Sequence, residues 1–163
     1  MQSSEICPKV QYPGHRQICE NEGSEFTIED MPVSKCTIAI VEDDASYRRA
    51  LERLLRASGF EAYTFASAEE FLGSAAPESH ACLILDIHLP GMSGFDLLDL
   101  LTASSKLRQA ILITGQDQES LRARASRIPD SVYLRKPLVG TVLLDAVRSL
   151  LRRSGSLAEG LGT

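Results

Sequence analysis

The chain has 163 residues, of which 44% are hydrophobic, with a net charge of −5 and a pI of about 5.2. That is room for one ordinary domain with tails, and enough apolar matter for a packed core. The acidic balance excludes an overall basic field for binding nucleic acid, and no apolar run reaches the ~18 residues a membrane helix needs.

The start, MQSSEICPKV, is neither basic nor followed by an apolar run, so no secretory leader is expected and a cytoplasmic location is. Cys7, Cys19, Cys36 and Cys82 form no CxxC pair and are expected as free thiols. Cys7, His15 and Cys19 lack the spacing of a metal set. Residues 1–34 carry Pro8, Pro13, Gly14, Gly23 and Pro32 with no apolar period, and read as a flexible extension.

The first buried strand is TIAIV, Thr37–Val41, closed by Glu42, Asp43 and Asp44. Tyr47, Ala50, Leu51, Leu54 and Leu55 then recur at helical spacing. Asp44 suits the cap of that helix, and Gly59 its stop. A second, mixed strand spans 60–65, and SAEE at 67–70 reads as a capping box opening a brief helix that Pro77 ends. The stretch 81–94, ACLILDIHLPGMSG, is the centre of the pattern. It is an apolar run that stops at Asp86, turns at Pro90 and Gly91, and leads into a helix capped by Ser93 with Phe95, Leu98 and Leu101 on one face. AILIT at Ala110–Thr114 is a fourth strand ending in a hydroxyl. A helix over 117–127 has only Leu121, Ala125 and Ile128 for an apolar face, and Pro129 breaks it. Ser131–Arg135 is a fifth strand closing at Lys136-Pro137. The last helix uses Val139, Leu143, Val147 and Leu150, with Val142 and Ala146 beside them, and the tail 154–163 has no period. His80 and His88 read as exposed loop histidines.

Five strand-then-helix units imply an α/β domain over 35–153: a doubly wound five-stranded parallel sheet with helices on both faces. In the order 2-1-3-4-5, strands one and three flank the crevice at the switch point. Their ends then bring carboxylates of Glu42, Asp43 and Asp44 into one small volume with Asp86, beside Thr114 and Lys136 from strands four and five. Clustered acids repel unless a cation neutralises them, and an all-oxygen set suits Mg²⁺. A cation, an ammonium and a hydroxyl around one carboxylate suit a phosphoryl group, with Asp86 as nucleophile. Each residue taken singly also has a plainer reading, as a cap, a strand-end Thr or a surface Lys.

IAIVEDD, LILDIHLPGMSGFDLL, ILITG and YLRKP stand in the order of four motifs of the response-regulator receiver domain. Over residues 36–152 the chain resembles that family of two-component signalling proteins, with its flavodoxin-like sheet. The ITG ending of strand four resembles the nitrogen-fixation and nodulation regulators. The resemblance implies a phosphorelay switch that takes a phosphoryl group from a histidine kinase, or a phosphotransfer protein, onto Asp86. It implies Asp43 as direct Mg²⁺ ligand beside Asp86, Glu42 acting through water, and the His88 backbone carbonyl as a third protein ligand. Thr114 and Lys136 would grip phosphoryl oxygens, Tyr133 would rotate inward when Thr114 moves, and Lys136-Pro137 would be cis. No activity on an outside substrate is implied. Output would pass to a protein partner, or through a homodimer using the last helices and strand five. With no DNA-binding domain after residue 152, a stand-alone receiver is favoured over a receiver fragment of a transcription factor. Two rivals are a haloacid-dehalogenase-like phosphatase and a receiver-like binding module that takes no phosphate. The first needs a second Asp where this chain has His88; the second does not need Asp43, Asp86, Thr114 and Lys136 together. The chain departs from the family pattern at Ile128-Pro129-Asp130, which bears on the fourth helix and its loop.

Overall fold

The computed structural model describes residues 36–154 apart from 75–76, 108 and 117, so the expectations for residues 1–34, Cys7, His15, Cys19 and 155–163 lie outside the described residues. Five strands pair in parallel: β1 (Thr37–Val41), β2 (Glu61–Phe65), β3 (Cys82–Asp86), β4 (Ala110–Thr114) and β5 (Ser131–Arg135). Their order is β2-β1-β3-β4-β5, as expected. β3 and β4 are buried at every position, which is why they read as unbroken apolar runs.

Successive side chains leave a strand on opposite faces, so each run feeds two cores. On one face Ile38, Ile40, Ile84, Ile111 and Ile113 pack against α1 (Ala45–Ala57) and α5 (Gly140–Arg153) through Leu51, Leu55, Leu143 and Val147. On the other, Ala39, Val41, Leu83, Leu85 and Leu112 meet α2 (Ala68–Leu72), α3 (Gly94–Ala103) and α4 (Glu119–Ala125) through Phe71, Phe95, Leu98 and Ala125. Leu98 is fully buried, and cutting it to Ala would cost about 2–5 kcal/mol.

Local chemistry sets the helix ends. Asp44 Oδ1 accepts the N–H groups of Ser46 and Tyr47 at 2.8 and 2.9 Å, and Gly59 takes φ +90° just past the end of α1. Ser93 and Asp96 form a full capping box at α3. The box expected at 67–70 is only half made. Ser67 accepts the Glu70 N–H, but Glu70 reaches one residue further back, to the Ala66 N–H at 2.6 Å.

Other expectations need correction. β2 begins at Glu61 and β3 at Cys82. α4 is seven residues long, not 117–127, because Gln118 gives no side-chain cap and the apolar face is thin. Behind it Asp130 adopts φ +53°, and the Ser131 hydroxyl donates to the Ala125 and Ile128 carbonyls, so Ile128-Pro129-Asp130 forms a closed turn. Ala50 faces solvent. Val139 and Val142 are 62% and 48% exposed. They belong to the cap and first turn of α5, at the carboxyl edge, where the sheet offers little surface to cover them. His80 is not a free loop side chain: its ring lies 5.4 to 6.2 Å from those of Tyr63, Phe65 and Phe71. Burial there pushes its pKa below the usual value. At the β2 edge, Arg56 Nη2 donates to the Ala62 carbonyl at 3.0 Å and pairs with Glu52 at 2.9 Å.

Candidate functional site

Parallel pairing carries every strand's end to one edge of the sheet. Val41 pairs with Leu85, so Glu42 and Asp86 leave adjacent strands side by side. Thr114 ends β4, and its carbonyl accepts the Lys136 N–H at 2.8 Å, setting Lys136 just beyond β5. The Lys136-Pro137 peptide is cis. The structure thus brings together Glu42, Asp43, Asp86 and Lys136, with Thr114 and His88 alongside.

Glu42 is 1% exposed and Asp86 5%. Lys136 Nζ bridges them, 2.7 Å from Glu42 Oε2 and 2.8 Å from Asp86 Oδ2. The other Asp86 oxygen, Oδ1, accepts the His88 N–H at 2.8 Å. Burial raises the Glu42 carboxyl above its usual range despite the hydrogen bond from Lys136, and the nearby Asp86 charge adds to the rise. Burial opposes the Lys136 charge, but its hydrogen bonds to Asp86 and Glu42 outweigh that and hold the ammonium above its usual pKa.

One oxygen from each of Glu42, Asp43 and Asp86 lies within 4.8 Å of the others, with Asp43 exposed. Three carboxylates against one ammonium leave net negative charge, and the donors are all hard oxygens. Such a set can hold a metal ion and fits a hard divalent cation that keeps some water. The acid loop is tied down by Arg48, whose Nη1 donates to the Glu42 carbonyl at 2.6 Å and the Asp43 carbonyl at 3.3 Å.

Asp86 is placed by its own backbone. A Cβ on Gly94 would collide with the Asp86 carbonyl oxygen and stand 2.9 Å from Ile87 Cα. The Gly94 N–H donates to the Ile87 carbonyl at 3.0 Å, so only glycine lets the start of α3 close on the site. Gly91 turns with φ +77°, and the next residue, Met92, gives its N–H to Glu69 Oε1 at 2.8 Å, tying this loop to α2.

Thr114 is fully buried. Its hydroxyl donates to the Gln116 carbonyl at 3.0 Å and accepts the Gln116 N–H at 3.1 Å. His88 Nδ1 lies 3.2 Å from the same oxygen, and with the hydroxyl proton given to Gln116 the remaining lone pair suits an Nδ1–H. Tyr133 is half-buried, its hydroxyl 3.4 Å from the Gln116 carbonyl.

Two site residues escape the sequence reading. Tyr47, read as part of a core stripe, lays its ring 4.5 Å from Lys136 Nζ. Arg48 carries no motif. Its only signal is its place one turn after three acids.

The response regulator receiver domain model matches residues 38–148, and the chain belongs to that family, the receiver modules of two-component systems. It is similar to Nodulation protein W of Bradyrhizobium diazoefficiens, 37% identical over 130 residues that cover 80% of this chain and 57% of the relative. It is also similar to the transcriptional regulatory protein FixJ of Azorhizobium caulinodans, 32% identical over 117 residues, covering 72% of this chain and 56% of the relative. The likeness to nitrogen-fixation and nodulation regulators read from the sequence therefore holds, and the chain spans a little over half the length of these relatives. Among solved structures, the response regulator StyR superposes with a TM-score of 0.67 at 40% identity, covering 74% of this chain and 61% of that one. The Vibrio cholerae chemotaxis protein CheY4 superposes equally, at 0.67, over 72% of this chain and all of its own, at 22% identity; it speaks for the fold alone. No helix among the described residues is long and apolar enough to cross a membrane.

Proposed function

We propose that this chain is a phosphoacceptor switch in a two-component phosphorelay. The observation that supports it most is a buried Asp86, held by Lys136 Nζ at 2.8 Å inside a cluster of acids at the switch point of the sheet. A free oxygen lone pair of the Asp86 carboxylate attacks the phosphorus of a phosphohistidine on a kinase or phosphotransfer protein. The P–N bond breaks, and the imidazole keeps the electron pair and takes a proton. Asp43 and Asp86, with the His88 carbonyl and Glu42 through water, would hold Mg²⁺, which supplies positive charge against the acids and the phosphoryl oxygens. Lys136 and Thr114 grip those oxygens.

Two charge-assisted bonds of about 1.5–3 kcal/mol each total about 3–6 kcal/mol before the present contacts of Lys136 and Thr114 are given up, against about 5.5 kcal/mol for taking a two-state population from 1:99 to 99:1, so the two bonds bias the switch rather than throw it completely. Thr114 must give up Gln116 and His88 to make its bond. Tyr133, linked to the same Gln116 carbonyl, carries the change to the β5 and α5 surface, where an output protein or a second copy binds. The chemistry is confined to the chain's own Asp86, with no outside substrate turned over, and the cytoplasm is its place.

The test is intact mass after incubation with Mg²⁺ and acetyl phosphate, beside Asp86→Ala. One added phosphoryl group, absent in the variant and abolished by EDTA, is expected. No added mass, with no Mg²⁺ binding by calorimetry, would leave a receiver fold that binds partners without phosphorylation.

A further inference from the structure

Lys136 has three N–H donors, and two are spent on Glu42 and Asp86. The third side of the ammonium faces the ring of Tyr47 at 4.5 Å, within reach of a cation–π attraction. That ring is not free to drift. Tyr47 stands in the first turn of α1, its own N–H is held by the Asp44 cap at 2.9 Å, and its side chain packs against the α1/α5 core. The neighbouring Arg48 grips the Glu42 carbonyl, so one helical turn fixes both the acid loop and the ring.

Both anionic partners of Lys136 change when the switch is set, a point that rests on the phosphoacceptor reading above. Asp86 becomes an acyl phosphate, and a divalent cation competes for the Glu42 carboxylate. The ring contact is uncharged and takes part in neither event. We propose that Tyr47 is a positioning residue: its ring face keeps the Lys136 ammonium in the pocket while the carboxylates change roles, so that the ammonium meets the phosphoryl oxygen already aligned. No bond forms to Tyr47, and its hydroxyl is not needed.

Beryllofluoride with Mg²⁺ serves as the phosphoryl stand-in, titrated by calorimetry against the full chain and its Tyr47→Phe and Tyr47→Leu variants, each also in a Lys136→Met background. Tyr47→Phe keeps the ring and should bind within about twofold of wild type. Tyr47→Leu should bind roughly 3- to 30-fold more weakly. In the Lys136→Met background the same Leu substitution should change nothing, which a merely structural role would not produce. By NMR, the Lys136 ε-methylene protons should be shifted upfield by the ring in wild type and Tyr47→Phe, and not in Tyr47→Leu. Equal binding by Tyr47→Leu and wild type, or a Leu loss undiminished without Lys136, overturns the proposal. So does a Phe variant as weak as Leu. Failure of wild type itself to take up beryllofluoride while it still binds Mg²⁺ fails the phosphoacceptor reading first, and this proposal with it.

Discussion

Replacing Lys136 by Met keeps the stem and removes the charge. Glu42 and Asp86 side chains are 2% and 7% exposed, so the variant leaves two nearly buried carboxylates facing each other with no cation. At the 4.8 Å limit of the cluster, and an effective dielectric of about 20, their repulsion is about 3.5 kcal/mol. Removing one partner from a buried ion pair costs about 3–5 kcal/mol by experience, and the open side of the pocket places this case near the lower figure. The Glu42 carboxyl already lies above its usual range, and losing Lys136, which lowers it, moves it further up. A carboxyl raised in the folded state binds more protons there than in the unfolded chain. The destabilisation is therefore absent below the ordinary carboxylate range and grows as pH rises through the elevated value. Urea denaturation at pH 5 and pH 8, with and without Mg²⁺, reads this. We expect a loss of about 3 kcal/mol at pH 8 that shrinks at pH 5 and shrinks again with Mg²⁺ at pH 8. A loss independent of both would mean that Lys136 acts through packing alone and does not neutralise the two carboxylates.

Gly94→Ala forces a Cβ onto the backbone of Asp86 and Ile87. We expect about 1–3 kcal/mol of lost stability by thermal melting, and a further loss of Mg²⁺ affinity as Asp86 shifts. Unchanged stability would show that the start of α3 yields freely. His88→Ala removes the contact at 3.2 Å on the Thr114 hydroxyl, and on the proposed phosphoacceptor reading one hydrogen bond of about 0.5–1.5 kcal/mol should appear as beryllofluoride binding up to roughly tenfold tighter. Weaker binding would mean that His88 helps the switched state instead. Burial pushes the Cys82 thiol up to about 12, so iodoacetamide at pH 8 should leave it unmodified by peptide mass until urea is added.

The fold was legible because each central strand is buried on both faces and so is written as a short apolar run with a polar stop. The stops also mark the candidate site: Glu42, Asp86, Thr114 and Lys136 each end or follow a strand, and parallel pairing alone brings them to one edge. What could not be read depends on side-chain direction rather than on position along an element. Tyr47 fits the α1 apolar stripe, yet its ring serves both the core and Lys136. Arg48 reaches backbone carbonyls, which have no sequence signature. His80 looks like a loop residue until β2 and α2 close their rings around it. Periodicity also overextended the buried stripe of α5 to Val139 and Val142, since a repeat does not say where the sheet beneath it stops.

The far edge of the sheet is formed by β2. Glu61 N–H and the Phe65 carbonyl turn inward to β1, so the groups of Ala62 face outward along a strand that, among the described residues, pairs on one side only. An open strand invites another strand to add to it, the route by which folded chains become fibrils. The Arg56 guanidinium, steadied by Glu52, already occupies the Ala62 carbonyl and sets a charged group beside the first half of the strand. Strand addition at β2 would have to evict it. At this edge a partner strand would gain the backbone ladder only by breaking a charge-assisted contact.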